Sequence, residues 1–135
     1  MTLTEKLESY AVKHNIDIVG RPAGSSFASA TLDGRYVIAM PAGYMTNAEC
    51  AFRLGHELGH CETDSFYFKE CMFMLWERCE YRAKKWEIKK LLPKSKIKAA
   101  VRRGCTEVWQ IAEFVDLPPE FVEQAIFFHE NGYIP

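Results

Sequence analysis

The densest group of chemically capable residues in this sequence is His56-Glu57-Leu58-Gly59-His60, an HExxH pattern. On a helix, residues four apart lie one turn apart on the same face. Two imidazoles placed that way can each give a nitrogen to one tetrahedral zinc ion. Glu57 follows the first histidine directly, so its carboxylate can reach a water at the metal without binding the metal itself. Zinc lowers the pKa of such a water to about 7, and Glu57 can take its proton as it attacks a peptide carbonyl. Shuffling this composition gives the pattern in about one sequence in a hundred, so position has to add weight. The pattern ends a predicted capped helix and uses two of only four histidines. The bland alternative is a pair of surface histidines on a helix.

A catalytic zinc normally takes three protein ligands and keeps a fourth position open. Carboxylates near enough along the chain are Glu62, Asp64, Glu70, Glu77 and Glu80. Glu62 and Asp64 follow His60 too closely to fold back onto the same metal. A second helix crossing the first can deliver a carboxylate, which leaves Glu77 and Glu80. Three residues apart, these two share a face, and periodicity does not choose between them.

The elements that must position these groups are legible in outline. Thr2-x-x-Glu5 is a capping box that opens a first helix, with Leu3, Leu7, Tyr10, Ala11 and His14 on one face. His14 then sits near that helix's C-terminus in a structural role. Ile16–Val19 alternates like a strand. Phe27–Leu32 and Arg35–Met40 flank Asp33-Gly34, a two-residue hairpin signal in which both turn positions take positive φ. A second capping box, Thr46-x-x-Glu49, opens a helix running to about His60. A loop follows around 62–65, then a helix over Trp76–Leu91 that stops at Pro93. A short basic helix spans Ser95–Arg103 and ends at Gly104. Thr106–Val115 and Pro119–Glu130 close the chain as a helical pair. The fold class is α+β, predominantly helical, with a small antiparallel sheet near the N-terminus. The single domain of residues 1–135 divides into a helix plus sheet (1–45), the zinc-site helices (46–93) and the C-terminal helices (94–135).

Composition bounds the rest. The chain has 135 residues, 48% hydrophobic and 26% charged, which suits one globular domain rather than a disordered chain. No stretch is long and apolar enough for a membrane span, and the N-terminus lacks the basic start and apolar run of a secretory signal. Cysteines stand at 50, 61, 71, 79 and 105, an odd number with no CxxC pair. That pattern suits reduced thiols in a cytoplasmic protein and argues against a cysteine-built zinc site. Cys61 stands out only because it follows His60.

The net charge of -1 hides a strong asymmetry. Residues 82–103 hold ten basic residues against Glu87 alone, whereas residues 104–135 hold six acidic residues and no basic one. The basic run reads either as a solvated face neutralised by the acidic tail, or as a surface near the cleft that docks an acidic face of a protein substrate.

Several stretches together resemble the ImmA/IrrE family of metallopeptidases, especially its short members carried by phages and integrative elements. They are Leu54-Gly-His-Glu-Leu-Gly-His-Cys61, Ser65-Phe-Tyr67, Glu80-Tyr-Arg-Ala-Lys-Lys-Trp86 and Leu91-Leu-Pro93. Tyr10-Ala-Val-Lys-His-Asn-Ile-Asp-Ile18 and Thr106-Glu-Val-Trp-Gln-Ile-Ala112 extend the resemblance to nearly the whole chain. The resemblance implies a zincin-like, gluzincin-type active-site helix in which the glutamate of Glu-x-x-Ala, here Glu80, joins His56 and His60 on one zinc per chain. It also implies cleavage or inactivation of a helix-turn-helix repressor. Two residues depart from the family pattern. Lys84 stands where an acidic residue usually orients a ligand histidine; one turn beyond Glu80, it would pair with Glu80 or point to solvent. Gly55 stands where alanine is frequent, at a helix-propensity cost of about 1 kcal/mol. Tyr67, in the loop after the zinc helix, is the candidate oxyanion donor, with His129 the alternative.

Three functional readings follow. The first is a zinc endopeptidase with Glu57 as base. The second is a non-catalytic zinc-containing antirepressor or adaptor that binds the repressor without hydrolysis; Lys84 leans towards it, and the intact Glu57 leans away. The third, direct DNA binding, is disfavoured: the closing helical pair has no basic residue, and Gln124 and Asn131 offer little to face a groove.

Overall fold

The computed structural model describes every residue except Ala23, Leu32, Tyr44 and residues 67–72. The described elements run α1 (Leu3–Lys13), β1 (Ile16–Arg21), β2 (Phe27–Ala30), β3 (Tyr36–Pro41), α2 (Asn47–Glu62), α3 (Phe73–Leu91), α4 (Lys94–Arg102), α5 (Val108–Val115) and α6 (Pro119–Asn131). The class is mixed α and β with helix dominant, as expected.

Local signals predicted the helix starts well. Thr2 accepts from the Glu5 N–H at 3.1 Å, and its own N–H donates to Glu5 Oε2 at 2.6 Å, so the first capping box is complete. At α2 only the Thr46 half forms, with Glu49 N–H donating to Thr46 Oγ1 at 3.1 Å. Helix α3 begins at Phe73, three residues before the expected Trp76.

The sheet departs from the expectation. Its order is β1-β3-β2, with β2 antiparallel to β3 but β1 parallel to it, so it is mixed rather than antiparallel. The physical reason is composition: β3 (Tyr36-Val-Ile-Ala-Met-Pro41) is the most apolar strand and buries Ile38 and Ala39, so it takes the centre. Strand β1 carries Asp17 and Arg21, and β2 is short and mostly exposed, so both suit edges. A hairpin signal specifies only the β2–β3 pair and is silent about β1. The connection itself is wider than two residues. Pairing stops at Ala30↔Tyr36, Thr31 N–H donates to the Arg35 carbonyl at 2.7 Å, and of Asp33 and Gly34 only Gly34 has positive φ, at +82°.

One continuous core joins all three parts of the chain. Leu7 and Ala11 of α1 meet Ile38 of β3, Leu54 and Leu58 of α2, Ile88 and Leu91 of α3, and Phe121, Val122 and Phe128 of α6. Helices α2 and α3 pack with unusual closeness because α2 presents glycine to α3. A Cβ at Gly59 would run into the Ala83 carbonyl oxygen and stand 3.0 Å from Ala83 Cα; one at Gly55 would meet Leu91 Cδ1 at 2.7 Å. The lost helix propensity at Gly55 is therefore the cost of bringing α3 close.

The basic run does not form one stripe. Lys96 Nζ, half-buried, donates to the Leu91 carbonyl at 3.1 Å and so closes the end of α3. Reversing Lys96 to glutamate would thus disturb the fold as well as the surface. Among the described residues no helix is long and apolar enough to cross a membrane.

Candidate metal centre

His56 and His60 lie on the face of α2 that turns towards α3, and α3 answers with Glu80. His56 Nε2 stands 2.8 Å from Glu80 Oε2, and His60 Nε2 stands 3.2 Å from Glu80 Oε1. One ligand atom from each of the three residues falls within 4.8 Å of the others, and the group can hold a metal ion. Glu77, left open by periodicity, is exposed and lies outside this group. Glu62 and Asp64 are engaged elsewhere: Glu62 Oε1 is 3.3 Å from His14 Nδ1, and Asp64 Oδ1 accepts from the Tyr36 hydroxyl at 3.1 Å. Cys61 is buried, and burial pushes its thiol up to about 12, so it stays an inert thiol.

The distal ring nitrogens are held as metal-binding histidines require. The chain turns back after α2 through Asp64, which takes φ +50°. That turn lets Ser65 N–H donate to the His60 carbonyl at 3.0 Å while the Ser65 carbonyl faces His60 Nδ1 at 2.6 Å. A carbonyl has no proton to give, so His60 Nδ1–H is the donor, and Nε2 is the ring nitrogen turned towards Glu80. A ring nitrogen and a carboxylate oxygen 3.2 Å apart are held together by a proton or a cation between them, and a metal ion can serve as that cation.

For His56 the corresponding partner is Glu87, whose Oε2 lies 3.4 Å from Nδ1. Glu87 is fully buried, and its carboxylate makes no hydrogen bond of normal length among the described residues. Burial pushes its carboxyl up to about 7, with His56 opposing. Glu87 supplies from one turn further along α3 the acid that Lys84 lacks. Lys84 neither pairs with Glu80 nor points away: its Nζ donates to Gln124 Oε1 of α6 at 3.2 Å. Sequence reading missed Glu87, although a signal existed. It is the only acid in 82–103, and the spacing Glu80, Ala83, Glu87 marks one helix face.

The charges are strongly coupled. Burial alone would lower His56, but Glu80 and Glu87 outweigh it and hold the imidazolium up to about 10. Burial would raise Glu80, yet His56 and His60 hold it well below the usual carboxylate range. In the metal-free protein, His56 thus provides the positive charge that a divalent ion would provide. Metal uptake must then displace that proton at any pH below about 10. Metal affinity should therefore rise with pH through neutrality, as the ion displaces protons from the cluster. Glu87→Gln should weaken metal binding about ten- to a hundredfold, the usual cost of losing such a partner. Metal titrations from pH 6 to 8 check both; a flat pH dependence, or an unchanged affinity in the variant, would contradict the arrangement.

Glu57 is buried beside the cluster but outside it. Ser26 Oγ, just before β2, donates to Glu57 Oε1 at 3.2 Å. Burial raises the Glu57 carboxyl above its ordinary value, opposed by the two histidines. An open cleft of about 520 Å³ lies in front of His56 and Glu80, walled by Ser25 and Ser26, by Phe52 and Arg53 of α2, and by Lys84 of α3. Tyr67, the candidate oxyanion donor, lies outside the described residues, as does Glu70. The alternative, His129, is occupied elsewhere: its Nε2 lies 2.7 Å from the Leu92 carbonyl, past the far end of α3, about 18 Å along the helix from Glu80. No protein-family model and no curated protein matches the chain.

Proposed function

We propose that the protein is a zinc-dependent endopeptidase, and that its substrate is a helix-turn-helix repressor of a phage or integrative element. The observation that carries the hydrolytic reading is Glu57. A metal site with a purely structural task needs no general base, yet here a buried carboxylate with a raised pKa stands next to two candidate ligands without being one. Two imidazoles and one carboxylate, of which His56 and Glu80 line an open cleft, match the ligand set of catalytic rather than structural zinc. The zinc would polarise the scissile carbonyl and activate water.

The chain's own residues account for the remaining steps. Ser26 fixes the Glu57 carboxylate in place. Glu57 takes the proton of the attacking water and returns it to the leaving amine. Strand β2 is one of the two edge strands of the sheet, and an extended peptide could add to it beside the serine that holds Glu57. The substrate class comes from the resemblance to the ImmA/IrrE family, which also fits a cytoplasmic setting with reduced cysteines.

The test is incubation of the zinc-loaded protein with the helix-turn-helix repressor encoded beside its gene. Discrete repressor fragments should appear, and a chelator should abolish them. A repressor that is bound and stays whole would replace the peptidase by the adaptor.

A further inference from the structure

Among the described residues, two cations, Arg53 and Lys84, line the cleft and have no task in hydrolysis. Gly59 of α2 meets Ala83 of α3, whereas the earlier Gly55 meets the later Glu87 and Leu91, so the two helices run antiparallel. Arg53 precedes His56 by three residues, and Lys84 follows Glu80 by four, so each shares a face with its neighbouring ligand. In an antiparallel pair these two displacements point the same way. Both cations therefore lie at one end of the cleft, a helical turn from the metal cluster, and both line its wall.

Their charges are available. Arg53 makes no hydrogen bond or ion pair with any described residue. Lys84 spends one of its three N–H donors on Gln124, which holds the ammonium group in place on α6. Among the described residues, the one carboxylate lining this cleft, Glu80, is engaged by both histidines. The lining from the segment before β2, Gly24, Ser25 and Ser26, has no charged side chain of its own, and the Arg21 guanidinium beside it is spent on the Ser25 carbonyl at 2.8 Å.

We propose that Arg53 and Lys84 form a carboxylate-binding subsite that selects peptides with an acidic group close to the scissile bond. The inference rests on the peptidase reading above. One helical turn separates the subsite from the ligands by about 5–6 Å, and an extended peptide advances about 3.3 Å per residue. The recognised carboxylate thus sits about two residues from the cleaved bond. A forked guanidinium and an ammonium suit a carboxylate in a half-buried cleft, where charge-assisted hydrogen bonds are strongest. An aspartate or glutamate side chain and a free chain end offer the same chemistry.

Binding to the zinc-loaded Glu57→Gln protein tests the subsite without requiring turnover. The probes are fluorescein-labelled alanine-based octapeptides containing one Asp or Glu, their Asn or Gln counterparts, and each of these with a free or an amidated C-terminus. Acidic side chains should tighten binding at least about tenfold in the amidated series, and an Arg53→Gln, Lys84→Gln double variant should erase the difference. A gain that follows only the free C-terminus assigns the subsite to a chain end, with the same two cations responsible. Equal binding of all peptides by the parent protein, or discrimination that survives in the double variant, overturns the proposal. If the wild-type protein binds acidic peptides selectively and leaves the repressor whole, the peptidase reading fails while the subsite stands.

Discussion

Replacing Glu57 by glutamine should leave the metal bound and slow peptide hydrolysis by at least about a hundredfold, the scale of a lost general base. The substitution preserves shape and keeps an acceptor oxygen for the Ser26 hydroxyl, so the contact at 3.2 Å can survive. It removes only the group that takes the proton. Metal content should not change, because His56, His60 and Glu80 form the binding group without Glu57. Thermal stability should not fall either, since burial raises the Glu57 carboxyl and a neutral amide avoids that cost of burying charge. The measurement is single-turnover cleavage of the repressor by matched zinc-loaded samples. A variant that cleaves at the wild-type rate would exclude Glu57 as the base.

The second large effect concerns a residue with no chemistry of its own. Helix propensity says that Gly59→Ala should stabilise the protein by about 1 kcal/mol. Packing says the reverse. The new Cβ would strike the Ala83 backbone, which cannot rotate aside as a side chain would. Overpacking of this kind costs about 1–3 kcal/mol, so the net expectation is destabilisation. Because α3 carries Glu80, pushing the helices apart should also weaken metal binding. Denaturant unfolding and metal titration read the two consequences separately. Gly55→Ala is the natural comparison, because it meets the ends of the Leu91 side chain, which can yield, and should be milder. A Gly59→Ala protein that gains stability and keeps its metal affinity would show that the close approach of the two helices does not support the site.

The residues of the candidate metal site were largely legible in the sequence, because helical periodicity is a local property. His56, Glu57 and His60 needed only a helix to stand in their working relation, and Thr46 with Glu49 marked where that helix begins. Most helix boundaries followed from caps and prolines in the same way, but the start of α3 at Phe73 did not. What the sequence left open was whatever depends on a second element arriving. Glu77 and Glu80 share a face by periodicity, and only the contact of Gly59 with Ala83 sets which of them reaches the histidines. The resemblance to a known family named Glu80 where spacing had left it undecided. Glu87 was read as one acid in a basic run, since no local rule says that a glutamate one turn along α3 faces inward on His56. The parallel pairing of β1 with β3 was invisible because a hairpin signal speaks for its own two strands only. Ser26 and the Ser65 carbonyl had no sequence signal at all, since each acts through a loop whose path is set by the elements around it. The sequence by itself determined which residues could bind a metal and move a proton. The tertiary structure decided which carboxylate completes the group, which partners orient its histidines and which cations border its cleft, because those relations are distances between elements and leave no periodicity along the chain.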